Sequence, residues 1–111
     1  MKAMVPKGPS MNEMLKQAQK MQEEMQQKQA ELEEREYEVS AGGGVVKVKI
    51  NGKREILSMD IAEEIVDPDD IETLSDIIVA AVNEAIKKVN STTDEEMAKI
   101  SGPLGGMGGL F

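Results

Sequence analysis

Two lysines near the N-terminus are the side chains best placed to do chemistry with a partner. Lys16 and Lys20 are four residues apart in a stretch rich in Gln and Glu. Residues at that spacing lie on one face of an α-helix, so both ammonium groups would point the same way. Such a pair can contact the phosphates of a nucleic acid. An ordinary solvated helix face accounts for the same pair, and the residues alone leave both interpretations open.

Two other segments resemble ligand-binding loops, but the sequence favours a structural role for each. The glycine-rich run Ala41–Gly44 joins two predicted strands and lacks the Lys-Ser or Lys-Thr of a phosphate-binding loop. It therefore predicts a turn or bulge. The acidic run Asp67–Asp70 lacks the glycine and ligand spacing of a calcium loop. It predicts a helix start, with Asp67 as the cap and Pro68 at the first helical position. We predict no metal site and no cofactor.

The residue types argue against an enzyme. The 111 residues include no His and no Cys, so the commonest general base and the thiolate nucleophile are both missing. No serine lies in a nucleophile-elbow pattern. Adjacent Glu63 and Glu64 are more typical of a solvated turn than of a catalytic pair. The sequence predicts neither catalysis nor a small-molecule substrate.

The charge distribution is uneven. The net charge of −8 disfavours simple nucleic-acid binding, because phosphate contact needs a positive potential. Within residues 1–22, however, four lysines stand against one glutamate, and within residues 40–61 four cations stand against two acids. No apolar run is long enough to span a bilayer or to form a signal peptide. We expect a cytoplasmic protein that does not contact a membrane.

A long amphipathic helix must position the first lysine pair. Ser10 is the predicted N-cap of this helix, and Glu13 completes a capping-box pattern. The helix is predicted to run for about seven turns and to end near Arg35. Apolar residues form a narrow seam on the face opposite the lysines, at alternating steps of three and four: Met11, Met14, Ala18, Met21, Met25 and Leu32. A seam so narrow suits a second helix, and we predict that two copies of the chain associate. The alternative is that the helix packs on its own sheet.

Three short strands and a second helix follow. The strands are predicted at residues 37–40, 45–50 and 55–61, and the last two form a hairpin around Asn51-Gly52. A four-residue turn would place Val48 opposite Leu57 and Val46 opposite Met59, which pairs apolar with apolar residues. The second helix has a broad apolar stripe that would cover the sheet. We predict a kink or break in it at residues 90–93, because Asn, Ser and Thr have poor helix propensity.

The order helix, three strands, helix predicts one α+β domain of two layers with an overlong helical arm. This αβββα domain would span residues 10–100. Residues 1–9 are predicted to be disordered, and residues 101–111 are predicted to form a flexible glycine-rich tail.

Several segments resemble the YbaB/EbfC nucleoid-associated proteins of bacteria. The matching segments are Met14–Gln22, Gly42–Lys47, Ile50–Gly52, Asp67–Asp70, Ile78–Ala85 and the terminal Gly109–Phe111. The resemblance covers roughly residues 11–111. It implies a homodimer joined largely through its sheet region, with long helices that project like the prongs of tweezers. It also implies binding of double-stranded DNA in the nucleoid, with effects on nucleoid organisation and gene expression.

Carried to matching positions, the resemblance implies DNA contacts from both helices, namely from Lys16, Gln17, Lys20, Lys87 and Lys88. Where other members carry basic residues late in the hairpin, this sequence has Leu57 and Ser58. The residues assigned to the core or the dimer contact are Met14, Met21, Met25, Val46, Val48, Leu57 and Met59.

Two other functions fit the same elements. Long helices that flank a hairpin are also found in prefoldin-like modules, and methionine-lined surfaces adapt to varied apolar partners. A client- or partner-binding module without DNA affinity is therefore the alternative. A purely structural oligomerisation protein is the third hypothesis.

Overall fold

The computed structural model describes residues 10–108, with side chains described as far as residue 102. The elements are α1 (Met11–Glu34), β1 (Glu36–Ala41), β2 (Val46–Asn51), β3 (Ile56–Ile61), a single 3-10 turn (Glu63–Ile65) and α2 (Ile71–Gly108). The predicted α+β order is confirmed. The disorder predicted for residues 1–9 lies outside the described residues, as do residues 109–111 of the predicted flexible tail. The flexibility predicted for residues 101–108 stays a prediction.

A side-chain cap defines the start of α1, and an extended backbone conformation defines its end. At its start, the Glu13 N–H donates to the Ser10 hydroxyl oxygen at 3.1 Å, which confirms Ser10 as the cap. At its end, Arg35 has extended backbone angles, so the chain passes directly from α1 into β1. The Gly52 N–H then donates to the Arg35 carbonyl oxygen at 3.0 Å. This bond ties the β2–β3 hairpin to the end of α1.

Glycine is needed at position 52 because the hairpin lies directly against the backbone of α1 there, and not because of the hairpin turn itself. A Cβ atom at position 52 would overlap the carbonyl oxygen of Leu32, and its other nearest neighbours are also α1 backbone atoms. The Asn51-Gly52 pair therefore marks the hairpin correctly, but the glycine itself serves as the contact with α1.

The three strands form one antiparallel sheet in the order β1-β2-β3, and α2 covers one face of it. Val46, Val48 and Ile50 on the central strand are fully buried. They pack against small residues of α2, Ala81 and Ala85, and against Val89. The small side chains let the helix approach the sheet closely, and the predicted role of α2 as the cover of the sheet is confirmed.

The predicted register of the hairpin is wrong by two residues. Val48 lies opposite Met59 rather than Leu57, and Val46 lies opposite Ile61 rather than Met59. Lys49 pairs with Ser58 and Ile50 pairs with Ile56, so Leu57 is the extra residue of a β-bulge. Because the side-chain period of a strand is two, the shift leaves Met59 on the face that the prediction gave it. Leu57, in contrast, is 46% exposed and lies outside the core of the chain.

The loop explains the shift. The Asn51 N–H donates to the Glu55 carbonyl oxygen, and the Arg54 N–H donates to the Asn51 carbonyl oxygen, both at 3.0 Å. These bonds close a three-residue loop in which Arg54 has a left-handed backbone with φ of 67°. A three-residue loop with a left-handed last residue is a common hairpin connection that carries a bulge. The predicted four-residue turn is therefore wrong.

The glycine-rich run forms the turn between β1 and β2, as predicted. Gly42, Gly43 and Gly44 all have positive φ, and the Gly44 N–H donates to the Ala41 carbonyl oxygen at 3.1 Å. Other residues rarely adopt three consecutive positive φ values, which accounts for the run of glycines.

Two predictions about α2 are wrong. The helix begins at Ile71, and its cap is Asp70, whose carboxylate accepts from the Thr73 N–H at 3.3 Å. Asp67 instead accepts from the Asp69 N–H at 2.9 Å in a separate turn, and Pro68 lies in that turn. Nor does α2 break at residues 90–93. The only described residue of α2 with non-helical backbone angles is Gly102.

Tertiary contacts hold the helix together where its propensity is poor. The Asn90 amide oxygen accepts from Arg54 Nε at 2.7 Å, while Thr92 and Thr93 are half-buried. Such contacts override the intrinsic preference of a short segment.

The distal part of α2 runs antiparallel to α1 and forms an arm with it. Glu96 of α2 lies 3.2 Å from Arg35 and 3.6 Å from Lys28, so the two helices contact each other beyond the sheet. The molecule is elongated, with principal extents of 88 × 25 × 18 Å. Along the seam of α1, Leu32 is buried and Met21 and Met25 are half-buried, whereas Met14 is exposed. The half of the seam nearer the sheet thus packs against α2 of the same chain.

Candidate nucleic-acid interface

The N-terminal half of α1 presents Lys16, Gln17 and Lys20 to solvent. Every residue from 11 to 20 is exposed. Among the described side chains, neither lysine forms an ion pair within 4.0 Å. With a rise of 1.5 Å per residue, these lysines lie about 18 to 24 Å beyond Leu32, where α1 meets the body. Glu13 lies three residues before Lys16 and Glu24 lies four residues after Lys20, so each lysine has a carboxylate within one helical turn but forms no ion pair with it.

Lys87 and Lys88 lie on the part of α2 that covers the sheet. Both are exposed, and Lys88 Nζ donates to the Glu38 carbonyl oxygen at 3.3 Å. Lys87 lies on the side of α2 opposite buried Ala85 and Val89. Lys28 of α1 contacts Glu96 of α2. Lys20 and Lys16 lie eight and twelve residues from Lys28, and Lys88 and Lys87 lie eight and nine residues from Glu96, so the two pairs are about 24 to 32 Å apart along the helices. The structure thus places the predicted lysines in two groups rather than in one.

A cluster of charges where α1 meets α2 was not predicted. Glu96 has a side chain only 14% exposed, and it contacts Lys28, Arg35 and Lys99. The hydrogen bond from Lys99 at 2.6 Å, helped by the charges of Arg35 and Lys28, lowers the pKa of Glu96 to about 2 against the opposing effect of desolvation. We call Lys28, Glu31, Arg35, Glu96 and Lys99 the arm clamp.

The arm clamp also uses Glu31. Arg35 Nε donates to Glu31 at 2.6 Å, and hydrogen bonds from Arg35 and then Lys28 lower the pKa of Glu31. The spacing of Glu31 and Arg35 is visible in the sequence, but the link from Arg35 to Glu96 joins segments 61 residues apart. Each of the three cations of the arm clamp has a carboxylate within 4.0 Å, so these cations are less available to a polyanion than the lysines without an ion pair.

The outer face of the sheet carries mixed charge. Lys49 Nζ lies 3.7 Å from Glu36, and exposed Lys47 pairs in register with Asp60. This face has no single sign, so it makes a less suitable polyanion surface than the tip of α1.

Exposed apolar residues lie on β3 and on the segments that follow it. They include Ile56, Leu57, Ile61, Val66, Ile71 and Val79. β3 is an edge strand, and α2 packs mainly on β1 and β2. Of the residues assigned to the core or the dimer contact, Val46 and Val48 are fully buried within one chain, whereas Met59 is half-buried. The exposed apolar surface is therefore centred on β3 rather than on β2.

The fold and this distribution of side chains define a class: a small α+β protein whose projecting helical arm carries exposed, unpaired lysines. The chain belongs to the YbaB/EbfC DNA-binding family, whose sequence model matches residues 7–104. The resemblance inferred from the sequence is confirmed.

Its relatives match along most of their length. A nucleoid-associated protein of Caldicellulosiruptor bescii is 58% identical over 104 residues, which are 94% of this chain and 90% of that protein. Proteins described in the same way from Clostridium novyi and Ruminiclostridium cellulolyticum are 54% and 49% identical, with the same coverage. The fold is shared with the crystal structure of an uncharacterized protein from Helicobacter pylori. That match has a TM-score of 0.69 and 20% identity, and it covers 86% of this chain and all of the other.

Across the described residues, no helix is both long enough and apolar enough to cross a membrane.

Proposed function

We propose that this chain binds double-stranded DNA as a homodimer in the nucleoid, within the cytoplasm, through electrostatic and shape contacts. Membership of a DNA-binding family supports the kind of partner. Relatives named nucleoid-associated proteins support the location. Effects on nucleoid organisation and gene expression follow as part of the same proposal.

The observation that carries the proposal is the exposed tip of α1. Lys16 and Lys20 project on an arm, and the described side chains leave both ammonium groups free to contact phosphates. Gln17, beside Lys16, adds a hydrogen-bonding side chain. No described arginine lies near this tip, so base-edge readout by arginine is not available there. Sequence preference would instead come from Gln contacts or from DNA shape.

Binding should be weak and dependent on salt. The net charge of −8 repels a polyanion, and each chain offers few phosphate contacts. The logarithm of affinity should fall with the logarithm of salt at a slope of about −0.9 for each phosphate neutralised. A shallow slope is therefore part of the proposal.

Fluorescence polarisation with a labelled duplex tests the assignment of the arm. Lys16→Glu with Lys20→Glu should abolish measurable binding at moderate salt, because two attractive charges become repulsive. Lys47→Glu with Lys49→Glu makes the same change in net charge on the outer face of the sheet, and it serves as the matched control. An equal loss of duplex affinity in the two double variants would show only a general effect of net charge. It would contradict the assignment of the arm as the contact surface.

The homodimer is supported by the exposed apolar residues of β3. An edge strand has unpaired backbone groups, and Leu57 and Ile61 lie beside them with partly exposed apolar side chains. A second copy would satisfy both the backbone groups and the apolar surface. Light scattering at micromolar concentration should give twice the 12.1 kDa of one chain. A mass of one chain would contradict this part of the proposal.

Exposed apolar residues at the N-terminal end of α1 are also compatible with a second function, the binding of unfolded client proteins. Met11 is 74% exposed, and Met14 and Leu15 are more than half exposed, which suits contact with an unfolded client. Suppression of client aggregation together with an unchanged DNA mobility would favour this prefoldin-like function over DNA binding.

A further inference from the structure

Arg54 has an unusual backbone conformation at the end of the β2–β3 loop. Within the described residues it is the one non-glycine residue with positive φ, at 67°. This position of a three-residue hairpin loop usually holds glycine, which adopts a left-handed backbone without steric cost. Here the chain keeps a long cationic side chain in a strained position. Strain of this kind is found where a side chain is needed in one place.

A neutral partner holds the guanidinium of Arg54. Arg54 Nε donates to the Asn90 amide oxygen at 2.7 Å, and among the described contacts this bond uses Nε alone. Arg35 makes an instructive contrast, because the carboxylates of Glu31 and Glu96 neutralise it. Arg54 is thus oriented against α2 but keeps its positive charge and the remaining N–H donors of its fork.

Other cations lie near Arg54. Lys53 precedes it and is exposed, and Lys87 lies one helical turn before Asn90 on α2. Three acids lie near the group. Glu33 lines an open groove of about 440 Å³ together with Lys53 and Arg54, Glu55 accepts from Asn51 Nδ2 at 2.7 Å, and Asp94 lies one helical turn after Asn90. Three cations against three acids leave this region locally balanced, in a chain whose overall charge is −8.

We propose that Lys53 and Arg54, next to Lys87, form a phosphate-binding site for the backbone of duplex DNA. This inference rests on the proposed function and adds a contact on the body of the molecule to the one on the arm. The planar fork of arginine matches the oxygens of a phosphate, and its fixation by Asn90 lowers the entropy lost on binding. A phosphate contact carries no sequence information, so duplexes of any sequence should use the site equally.

Arg54→Gly separates binding from folding. Glycine suits the left-handed backbone, so the urea midpoint of unfolding should stay the same or rise. Affinity for a labelled duplex should fall about tenfold, the size expected when a charged hydrogen bond is removed. The salt slope should become shallower by about one for each phosphate that the variant no longer neutralises. Lys47→Gln removes one positive charge from the outer face of the sheet and should change affinity much less.

The outcomes separate the site from the proposed function. A wild-type chain that binds the duplex, beside an Arg54→Gly variant with the same affinity and salt slope, would overturn the site and leave the proposed function standing. Absence of duplex binding by the wild-type chain would overturn both. If Arg54→Gly lowered the urea midpoint, Arg54→Asn would carry the test, because asparagine also tolerates a left-handed backbone. A lower affinity in that variant with a wild-type midpoint would support the site.

Discussion

At the scale of single residues, two backbone positions control how the β2–β3 hairpin meets both helices. Gly52 lies against the backbone of α1 and its N–H donates to the Arg35 carbonyl oxygen. Two residues later, Arg54 adopts a left-handed backbone, and its side chain reaches Asn90 of α2. One loop therefore contacts α1 through its backbone and α2 through a side chain, which links the sheet to both helices of the arm.

Gly52→Ala should destabilise the protein strongly. The new Cβ would overlap the carbonyl oxygen of Leu32, so the end of α1 would have to move away from the hairpin, at a cost of about 2 to 4 kcal/mol. Urea denaturation followed by circular dichroism would measure the destabilisation. Gly43→Ala is the matched control, since a Cβ there meets nothing within 4 Å and only the strain of its φ of 75° remains. Its cost should be about 1 kcal/mol. Equal destabilisation of the two variants would contradict the assigned role of Gly52.

At the scale of elements, periodicity in the sequence predicts which helices and strands form and which face of each is buried. The end of α1 near Arg35, the three strands and the apolar face of β2 all follow from local patterns. The hairpin register, the start of α2 and the continuity of α2 through residues 90–93 do not. Each of these depends on hydrogen bonds that are set by a loop geometry or that join distant segments, as between Arg54 and Asn90.

The same limit applies to the candidate site. The spacing of Lys16 and Lys20 predicts a shared helix face, and the structure shows both exposed. Arg54 could not be selected from the sequence, because a basic residue beside Asn51-Gly52 has the pattern of any solvated turn. Its left-handed backbone and its contact with α2 appear only once the register of the hairpin is known.

The arm clamp makes stability depend on pH through Glu96. The pKa of Glu96 is about 2 in the folded chain, below its ordinary value of 4.5, so the folded state binds this proton less readily than the unfolded state. The clamp therefore stabilises the fold above pH 4.5, and this contribution is lost as the pH falls from 4.5 through 2. Glu96→Gln should lower the urea midpoint at pH 7, and its difference from the wild type should shrink toward pH 2. Glu64→Gln, at an exposed carboxylate, should change little at either pH. A constant difference between Glu96→Gln and the wild type across this range would contradict the role of its ionised form.

At the scale of the whole molecule, the free lysines of α1 lie away from the acids of the body, although not from the acids of α1 itself. The cations at the root of the arm are ion-paired within the arm clamp, whereas Lys16 and Lys20 lie at the far end of a molecule 88 Å long. Screening in physiological salt acts over about 8 Å, so acids on the body weaken the potential at the tip only slightly. Glu13, Glu23 and Glu24 lie within one helical turn of the lysines and do weaken it. The proposed DNA binding therefore depends on close contact between these two ammonium groups and phosphates, which agrees with the weak binding expected for a net charge of −8.

Dimerisation should then decide how strongly the arms bind. In the proposed homodimer, two linked arms would engage one duplex with a high effective concentration, so a monomer should bind much more weakly and with about half the salt slope. Leu57→Gln removes an exposed apolar side chain from the bulge of β3 without changing charge, and it should shift the mass measured by light scattering toward 12.1 kDa. Met11→Gln makes a similar change at the tip of α1 and should leave the dimer intact. If Leu57→Gln became monomeric but kept wild-type affinity and salt slope, each arm would bind DNA independently, and the homodimer would not be the DNA-binding unit.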